Sequence, residues 1–201
     1  MSKTIGYVTD RSFLRFPDEA KTQFAFLETQ GFHCVHSEAT LVRFESSRLA
    51  INIYHGRQSY EIGLEIESLV SPTDRYSFST LLHLIDQELA KHYRSFSAHS
   101  VQGVSDGVRQ LAESLKRCLA VDILNDKQLF PRLKLQCQKL REDYALEVQL
   151  QQARGKAEVA WRNKDYAAVV RNLKPLRSIL SVTEIEKLEF AEKKKIPDGG
   201  K

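Results

Sequence analysis

One stretch of the chain, residues 40–69, limits the possible folds more than any other. It reads TLVRFESSRLAINIYHGRQSYEIGLEIESL, and its apolar and polar residues alternate with the two-residue period of a β-strand. The last run is the clearest, because Tyr60, Ile62, Leu64 and Ile66 alternate with glycine and acidic residues. That order predicts a strand with one dry face and one wet face.

Two earlier runs follow the same rule and complete a sheet. Residues 42–45 and 49–54 also alternate, so we predict three antiparallel strands. A tight turn at Ser46–Ser47 joins the first two, and a longer connection at residues 55–58 joins the second to the third. The segment from Phe32 to His36 is a candidate for a fourth, shorter strand.

Helical patterns flank the sheet on both sides. Pro17 and Gly31 mark the start and the end of a first helix. After the sheet, apolar residues at spacings of three and four predict a helix from Phe78 to Ala90 that lies across the dry face, and then a helix from Val101 to Cys118. The fold class is therefore α+β: a small antiparallel sheet of three to four strands packed by helices, followed by an all-helical C-terminal part.

From Pro131 onward the periodicity is entirely helical. We predict a long helix that runs past Gly155 into Trp161. Its apolar face carries Leu133, Cys137, Leu140, Tyr144 and Val148. A break at residues 163–165 precedes a second helix over residues 166–180, which Pro175 kinks or shortens. A capping box at Thr183–Glu186 begins a last helix.

The segment AEVAWRNKDYAAVVRNLKPL, residues 157–176, resembles one helical hairpin of a tetratricopeptide repeat. Such hairpins need about three copies to be stable alone. The resemblance therefore implies a helical appendage that packs on the rest of the chain and offers a surface to a partner. We expect an α+β domain over residues 1–120, a helical appendage over residues 121–195 and a disordered tail over residues 196–201.

Charge and cysteine content exclude some classes of protein. The chain carries 30 basic and 26 acidic residues, interspersed along its length, for a net charge of +4, whereas a dedicated nucleic-acid binder concentrates its basic residues in a patch. Three scattered cysteines are too few for a disulfide framework, and we expect them to be buried in a reducing compartment. No stretch has the length of a signal-peptide core or a membrane span. We therefore expect a cytoplasmic protein that does not contact a membrane, and the sequence leaves self-association open.

Motifs with known chemistry are missing from the sequence, which has no P-loop, dinucleotide fingerprint, nucleophile elbow, paired CxxC or HExxH. His33, His36 and His55 beside Cys34 are residue types that bind metals. On a strand, however, His33 and His36 point to opposite faces, and the spacing matches no zinc framework. We expect surface histidines, no metal, no cofactor and no catalytic residues.

Three acids, Glu61, Glu65 and Glu67, form a row on the predicted wet face. Such a row can hold Mg²⁺ in a nuclease, so a nucleic-acid-associated or metal-dependent nuclease-type defence protein is one alternative function. The predicted sheet contains no lysine, which such a reaction usually needs nearby. Three arginines are instead placed as cross-strand partners of the acids: Arg43, Arg48 and Arg57. The expected arrangement is a solvated, ion-paired face.

The connection YHGRQSYE holds Tyr54, His55, Arg57 and Tyr60 around Gly56. Aromatic residues and arginine supply much of the binding energy at protein interfaces, so this loop is a candidate contact surface. The alternative is a plain hairpin in which Gly56 adopts a positive φ and Arg57 pairs with an acid.

The order of elements suggests a family. The helix FLETQGF, the strands LVRFESSRLAINIYHGRQSYEIGLEIE and the helix FSTLLHLI resemble small bacterial immunity proteins of polymorphic-toxin systems over residues 1–120. The resemblance implies a cytoplasmic, non-catalytic protein that binds a cognate toxin and blocks its active site. The physical pattern supplies the predicted partner-binding residues, which are Tyr54, His55, Arg57, Tyr60, Glu61, Glu65 and Glu67. A scaffold that uses the repeat-like helices is a further alternative.

Overall fold

The chain folds into two compact units, Met1–Cys137 and Gln138–Lys201. The computed structural model describes residues 11–71, 73–119 and 123–194. The first unit extends beyond the expected division at residue 120, because Ile123, Leu124, Leu129 and Leu133 are buried in its core. The predicted disordered tail, residues 196–201, lies outside the described residues.

The first unit contains a sheet and four complete helices within the described ranges. The strands are β1 His33–Glu38, β2 Leu41–Glu45, β3 Leu49–His55, β4 Glu61–Ser68, β5 Arg75–Ser77 and β6 Phe96–Ser97. The α-helices are α1 Phe16–Phe24, α2 Phe78–Ile85, α3 Gln87–His92 and α4 Val101–Leu119. Short 3-10 helices span Ser12–Leu14, Ala25–Gln30 and Ile123–Asn125.

Helix α5, Leu129–Arg162, begins in the first unit and continues through the second. The second unit also contains α6 Tyr166–Leu173, a 3-10 helix Lys174–Ile179 and α7 Val182–Lys194.

The sheet is antiparallel, with neighbours in the order β1-β2-β3-β4, and both β5 and β6 pair with the outer edge of β4. The α+β class is confirmed, and β2, β3 and β4 form where the alternation predicts them. The segment before them is β1. The strands β5 and β6 have three and two residues, which is too short for a two-residue period to be recognised.

The predicted dry face is confirmed. Ile62, Leu64 and Ile66 of β4 are buried in a core that they share with Phe24 and Leu27 of the first helical segment. Each of these side chains contributes about 1.5–3 kcal/mol through removal from water. Helix α1 continues as a 3-10 helix that ends at Gly31, whose φ of 81° is readily adopted by glycine alone.

The helix predicted from Phe78 to Ala90 is wrong as a single element, because Asp86 divides it into α2 and α3. Asp86 has extended backbone angles, and its carboxylate accepts a hydrogen bond from the Leu89 amide at 2.9 Å. An aspartate that caps the next helix competes with continuation of the helix before it.

In the second unit, α5 passes Gly155 and ends at Arg162, as predicted. The following break places Lys164 at a φ of 58°, and the Asp165 carboxylate caps α6 by accepting a hydrogen bond from the Ala168 amide at 2.9 Å. Helix α6 gives way to the 3-10 helix at Lys174, next to Pro175, so the predicted effect of proline is confirmed.

The predicted capping box lies two residues too late. The box is formed by Ser181 and Glu184, because the Ser181 amide donates to the Glu184 carboxylate at 2.8 Å and the Glu184 amide donates to the Ser181 hydroxyl at 3.4 Å. Arg154 holds the same carboxylate with two hydrogen bonds, of 2.5 and 3.1 Å. This cap therefore also joins α5 to α7.

The predicted apolar face of α5 is wrong over its middle third. Leu133 is buried, but 73% of Tyr144 and 36% of Val148 are exposed. The expectation of buried cysteines also fails in part, since Cys34 is exposed and Cys137 half-buried, whereas Cys118 is buried. Cys34 lies on β1, which has a neighbouring strand on one side only among the residues that the structure describes.

Candidate partner-binding surface

The face of the sheet opposite the core carries a set of polar side chains that we call the polar face. It comprises Arg43, Glu45, Asn52, Tyr54, Glu61, Glu65, Glu67 and Arg75. Strand register brings them together: Arg43 lies opposite Asn52, Asn52 opposite Glu65, and Glu67 opposite Arg75. Antiparallel sheets commonly leave one face accessible in this way.

Glu67 is the centre of the polar face. Its carboxylate accepts hydrogen bonds from Arg43 at 2.8 Å, from Arg75 at 2.7 Å and from Asn52 at 3.0 Å. These donors, with Arg43 the largest contributor, lower the pKa of Glu67 to about 2 although burial acts in the opposite direction. The prediction that Glu67 is solvated is wrong, because the side chains of strands on both sides of β4 close over it and leave it 8% exposed.

Two further carboxylates hold the arginines in place. Arg43 also binds Glu45 at 2.6 Å and the Asn52 side-chain oxygen at 2.9 Å, and its pKa is raised chiefly by its hydrogen bond to Glu67. Glu65 lies 3.6 Å from Arg75. The polar face is thus ion-paired as expected, and hydrogen bonds to Glu45 and Glu67 hold Arg43 and Arg75 in fixed positions.

Of the three arginines predicted as cross-strand partners, only Arg43 pairs with the predicted acids. Arg48 donates to the carbonyls of Asn125 and Asp126 at 2.9 and 3.2 Å. Arg57 is exposed and forms no ion pair within the described ranges. Arg75, which the sequence pattern did not single out, takes their place because β5 aligns it with Glu67.

Tyr54 completes the polar face at the end of β3. Its ring lies directly on Gly63, where a side-chain carbon would collide with the phenol. Burial first, and then the charges of Glu61 and Glu65, raise the pKa of Tyr54 to about 12, so the phenol remains a hydrogen-bond donor at neutral pH. A shallow depression of about 230 Å³ is lined by Leu41, Arg43, Asn52, Tyr54, Glu65 and Arg75.

His55 does not lie on the polar face but in the core, and the prediction of a surface histidine is wrong here. Its ring is fully buried, stacks on Phe16 at 5.7 Å and approaches the Ala98 carbonyl through Nε2 at 2.9 Å. Its Nδ1 has no hydrogen-bond partner within the described part of the chain. Burial is the main cause that lowers the pKa of His55, and the charges of Arg11 and His99 act in the same direction.

The loop after β3 is held by a residue that the sequence did not indicate. Arg11 is 5% exposed, donates to the Gly56 carbonyl at 2.6 Å and to the Arg57 carbonyl, and lies 3.8 Å above the Tyr60 ring. Its separation of 45 residues from Gly56 leaves no local pattern to detect. The predicted positive φ at Gly56 is wrong, because Tyr60 adopts it instead at 54°.

The seven predicted contact residues therefore play different parts. Tyr54, Glu61 and Glu65 are half-buried on the polar face, and Arg57 and Tyr60 reach solvent in the loop. His55 and Glu67 are buried and can only support their neighbours. No group of three or more histidine, cysteine or acidic residues in the described ranges is arranged to hold a metal ion.

Comparison of the chain with protein families, curated proteins and solved structures gives no match. Within the described residues, no helix combines the length and the apolar character needed to cross a membrane.

Proposed function

We propose that this protein is a non-enzymatic binding protein whose partner is another protein that docks on the polar face. The observation that carries the proposal is the ion-paired network around Glu67. It fixes Arg43 and Arg75 at an accessible surface, where 19% and 51% of their side-chain areas stay exposed, and Glu65 lies 3.6 Å from Arg75 beside them. Side chains that are already ordered lose little entropy when a partner binds.

The charge of the polar face selects the class of partner. Four carboxylates and two guanidinium groups lie on it, so it is acidic overall and favours a partner with a basic surface. Charge complementarity of this kind accelerates encounter and discriminates against wrong partners. Tyr54 and Arg75 belong to the residue types that contribute most to interface energy.

A basic docking surface is typical of proteins that act on RNA, DNA or nucleotides, because their substrates carry phosphates. We accordingly propose that the partner is a toxin of this kind and that the protein neutralises it by covering its active site. The resemblance to immunity proteins supports the same function. The loop with Arg57 and Tyr60 offers a second contact next to the polar face.

Metal-dependent cleavage receives less support from the same residues. Mg²⁺ needs hard oxygen ligands, and the Glu67 carboxylate is already bound by Arg43, Asn52 and Arg75. A metal ion would have to displace two guanidinium groups from it.

The test is capture of the partner followed by loss of binding in defined variants. The tagged protein is expressed in the organism that encodes it, and stoichiometric partners are identified by mass spectrometry. Glu65→Lys should weaken the purified complex at least tenfold in Kd, about 1.4 kcal/mol, and its effect should shrink at high salt. The matched control is Glu28→Lys, which reverses an exposed carboxylate outside the sheet.

Three results would argue against the proposal. A partner that binds Glu65→Lys and the parent protein equally well would exclude the polar face as the contact. Recovery of nucleic acid alone, released by salt, would point to a nucleic-acid-associated function. Divalent-metal-dependent nuclease activity that is lost in Glu65→Ala would replace the proposal with the enzymatic alternative.

A further inference from the structure

Helix α5 has an exposed side that its own unit does not use. In the second unit, Ala157 and Ala160 of α5 pack with Val169 of α6 and Leu188 of α7 in one buried cluster. The other side of α5 carries exposed residues at alternating spacings of three and four, which we call the outer seam. The outer seam comprises Ala145, Val148, Gln152, Gly155 and Val159.

The outer seam is uncharged, whereas charged residues are frequent on the rest of α5. Val159 is 59% exposed, and Tyr144 beside the outer seam is 73% exposed. An apolar seam at this spacing is typical of helices that pair with another helix. The exposed apolar surface of Val159 and Tyr144 would be removed from water if a second helix packed along the outer seam.

Gly155 gives a second indication. A side-chain carbon at this position would meet nothing within 4 Å, so nothing in the described part of the chain requires glycine here. Glycine in a helix interior is destabilising relative to alanine. A second helix whose backbone approaches α5 closely at residue 155 would explain why this position is glycine.

The central part of α5 also lacks packing of its own. All residues from 141 to 149 are exposed, and a helical segment that buries no side chain is only marginally stable in water. A partner helix along the outer seam would supply the missing contacts.

We propose that the partner is α5 of a second copy of this chain, paired antiparallel. With the two-fold axis near residue 150, Ala145 of each chain faces Gly155 of the other, and Val148 faces Gln152. At each end of the pair, Val159 faces the aliphatic stem of Arg141. Small residues at the first of these layers allow the close approach that Gly155 indicates. The symmetric arrangement forms every contact twice.

Charge on the flank of the outer seam selects the antiparallel direction. In this register Glu142 of each chain lies beside Lys156 of the other. Both residues flank the outer seam, and charged residues at flanking positions of a coiled coil determine the relative orientation of its helices. Neither residue forms an ion pair with any other described residue. Within one helix they are about 21 Å apart, so they cannot pair with each other in a single chain. A parallel, in-register pair would instead place Glu142 beside Cys137 and Lys156 beside Gln151 of the other chain, so neither residue would meet an opposite charge.

The test is charge reversal with rescue, measured by sedimentation velocity of the full chain over a range of protein concentrations. The parent protein should show a monomer–dimer equilibrium. Glu142→Lys and Lys156→Glu, each alone, should weaken the dimer about tenfold, because two attractive contacts become repulsive. The double variant E142K/K156E restores opposite charges across the interface and should recover the dimer.

The control is Glu147→Lys, the same charge change at an exposed position on the side of α5 away from the outer seam; it should leave the equilibrium unchanged. Circular dichroism confirms that each variant keeps its helix content. A parent protein that stays monomeric at all concentrations would overturn the proposal. Single variants that dimerise like the parent, or a double variant as monomeric as the singles, would equally overturn this register.

Discussion

The ion-paired network around Glu67 makes a quantitative prediction about stability. Glu67→Gln keeps the shape of the side chain but removes the charge that Arg43, Asn52 and Arg75 share. A shift of the Glu67 pKa from 4.5 to about 2 corresponds to about 3 kcal/mol between the charged and the neutral side chain. That value agrees with the loss of about 3–5 kcal/mol in folding stability when one partner of a buried ion pair is removed. We expect Glu67→Gln to lower the free energy of unfolding by about 3 kcal/mol at pH 7.

The sign of the pH dependence follows from the direction of the shift. The folded state holds the proton of Glu67 less tightly than the unfolded state does, so the charged carboxylate stabilises the fold above pH 4.5. This contribution is lost as the pH falls from about 4.5 toward 2. The parent protein should therefore lose stability over that range more steeply than Glu67→Gln, and the two should converge at the acidic end.

Urea unfolding of both proteins between pH 7 and pH 2.5 measures the difference. The matched control is Glu65→Gln on the same strand and face. Among the described residues, Glu65 forms an ion pair with Arg75 alone, at 3.6 Å with half of the arginine exposed. Pairs of this kind contribute less than about 1 kcal/mol. A Glu67→Gln variant that follows the parent's pH curve, or that is no less stable than Glu65→Gln, would refute the network as the source of stability.

Three further predictions concern other parts of the chain. Because burial lowers the pKa of His55 from its usual 6.5, the first unit should lose stability as the pH falls below 6.5. In His55→Gln, the melting temperature should depend less on pH over the same range. Arg11→Ala should increase hydrogen exchange of residues 55–60, because the Gly56 and Arg57 carbonyls each lose a donor, at a cost of about 1–3 kcal/mol. Ser181→Ala should lower the free energy of unfolding by about 1 kcal/mol, the usual value of an N-cap, and Thr183→Ala should not.

Control variants separate the expected effects of the His55, Arg11 and Ser181 substitutions from general effects of mutation. The matched control is His33→Gln, because His33 is exposed on β1 and its replacement should leave the pH dependence unchanged. Arg57→Ala removes an exposed loop side chain that forms no hydrogen bond or ion pair with the described residues, so the exchange pattern of this variant should match that of the parent. Equal losses of stability in Ser181→Ala and Thr183→Ala, measured by calorimetry, would contradict the assigned capping box.

The local elements of this protein follow from local sequence. The alternation before Leu69 determines β2, β3 and β4, because a two-residue period puts successive side chains on opposite faces wherever the strand lies. Gly31 ends the first helical segment, and Asp165 begins α6, through backbone and capping preferences that act within a few residues. These features depend on neighbouring residues and can be predicted without any long-range contact.

The arrangement of the candidate site could not be predicted without the tertiary structure. Glu61, Glu65 and Glu67 are equivalent in the sequence pattern, yet only Glu67 is buried and bound by two arginines. The choice among them depends on Arg43 from β2 and on Arg75 from β5, a strand too short to predict.

The burial of His55 and the role of Arg11 were also decided by the fold. His55 belongs to a strand whose end is covered by Phe16 and Ala98, and Arg11 reaches the loop across 45 residues of sequence. Periodicity reports the face on which a side chain lies, but burial and pairing depend on the residues that the fold brings to that face. For that reason the sequence by itself determined the strands and helices, and only their packing decided which charges are buried and which are left for a partner.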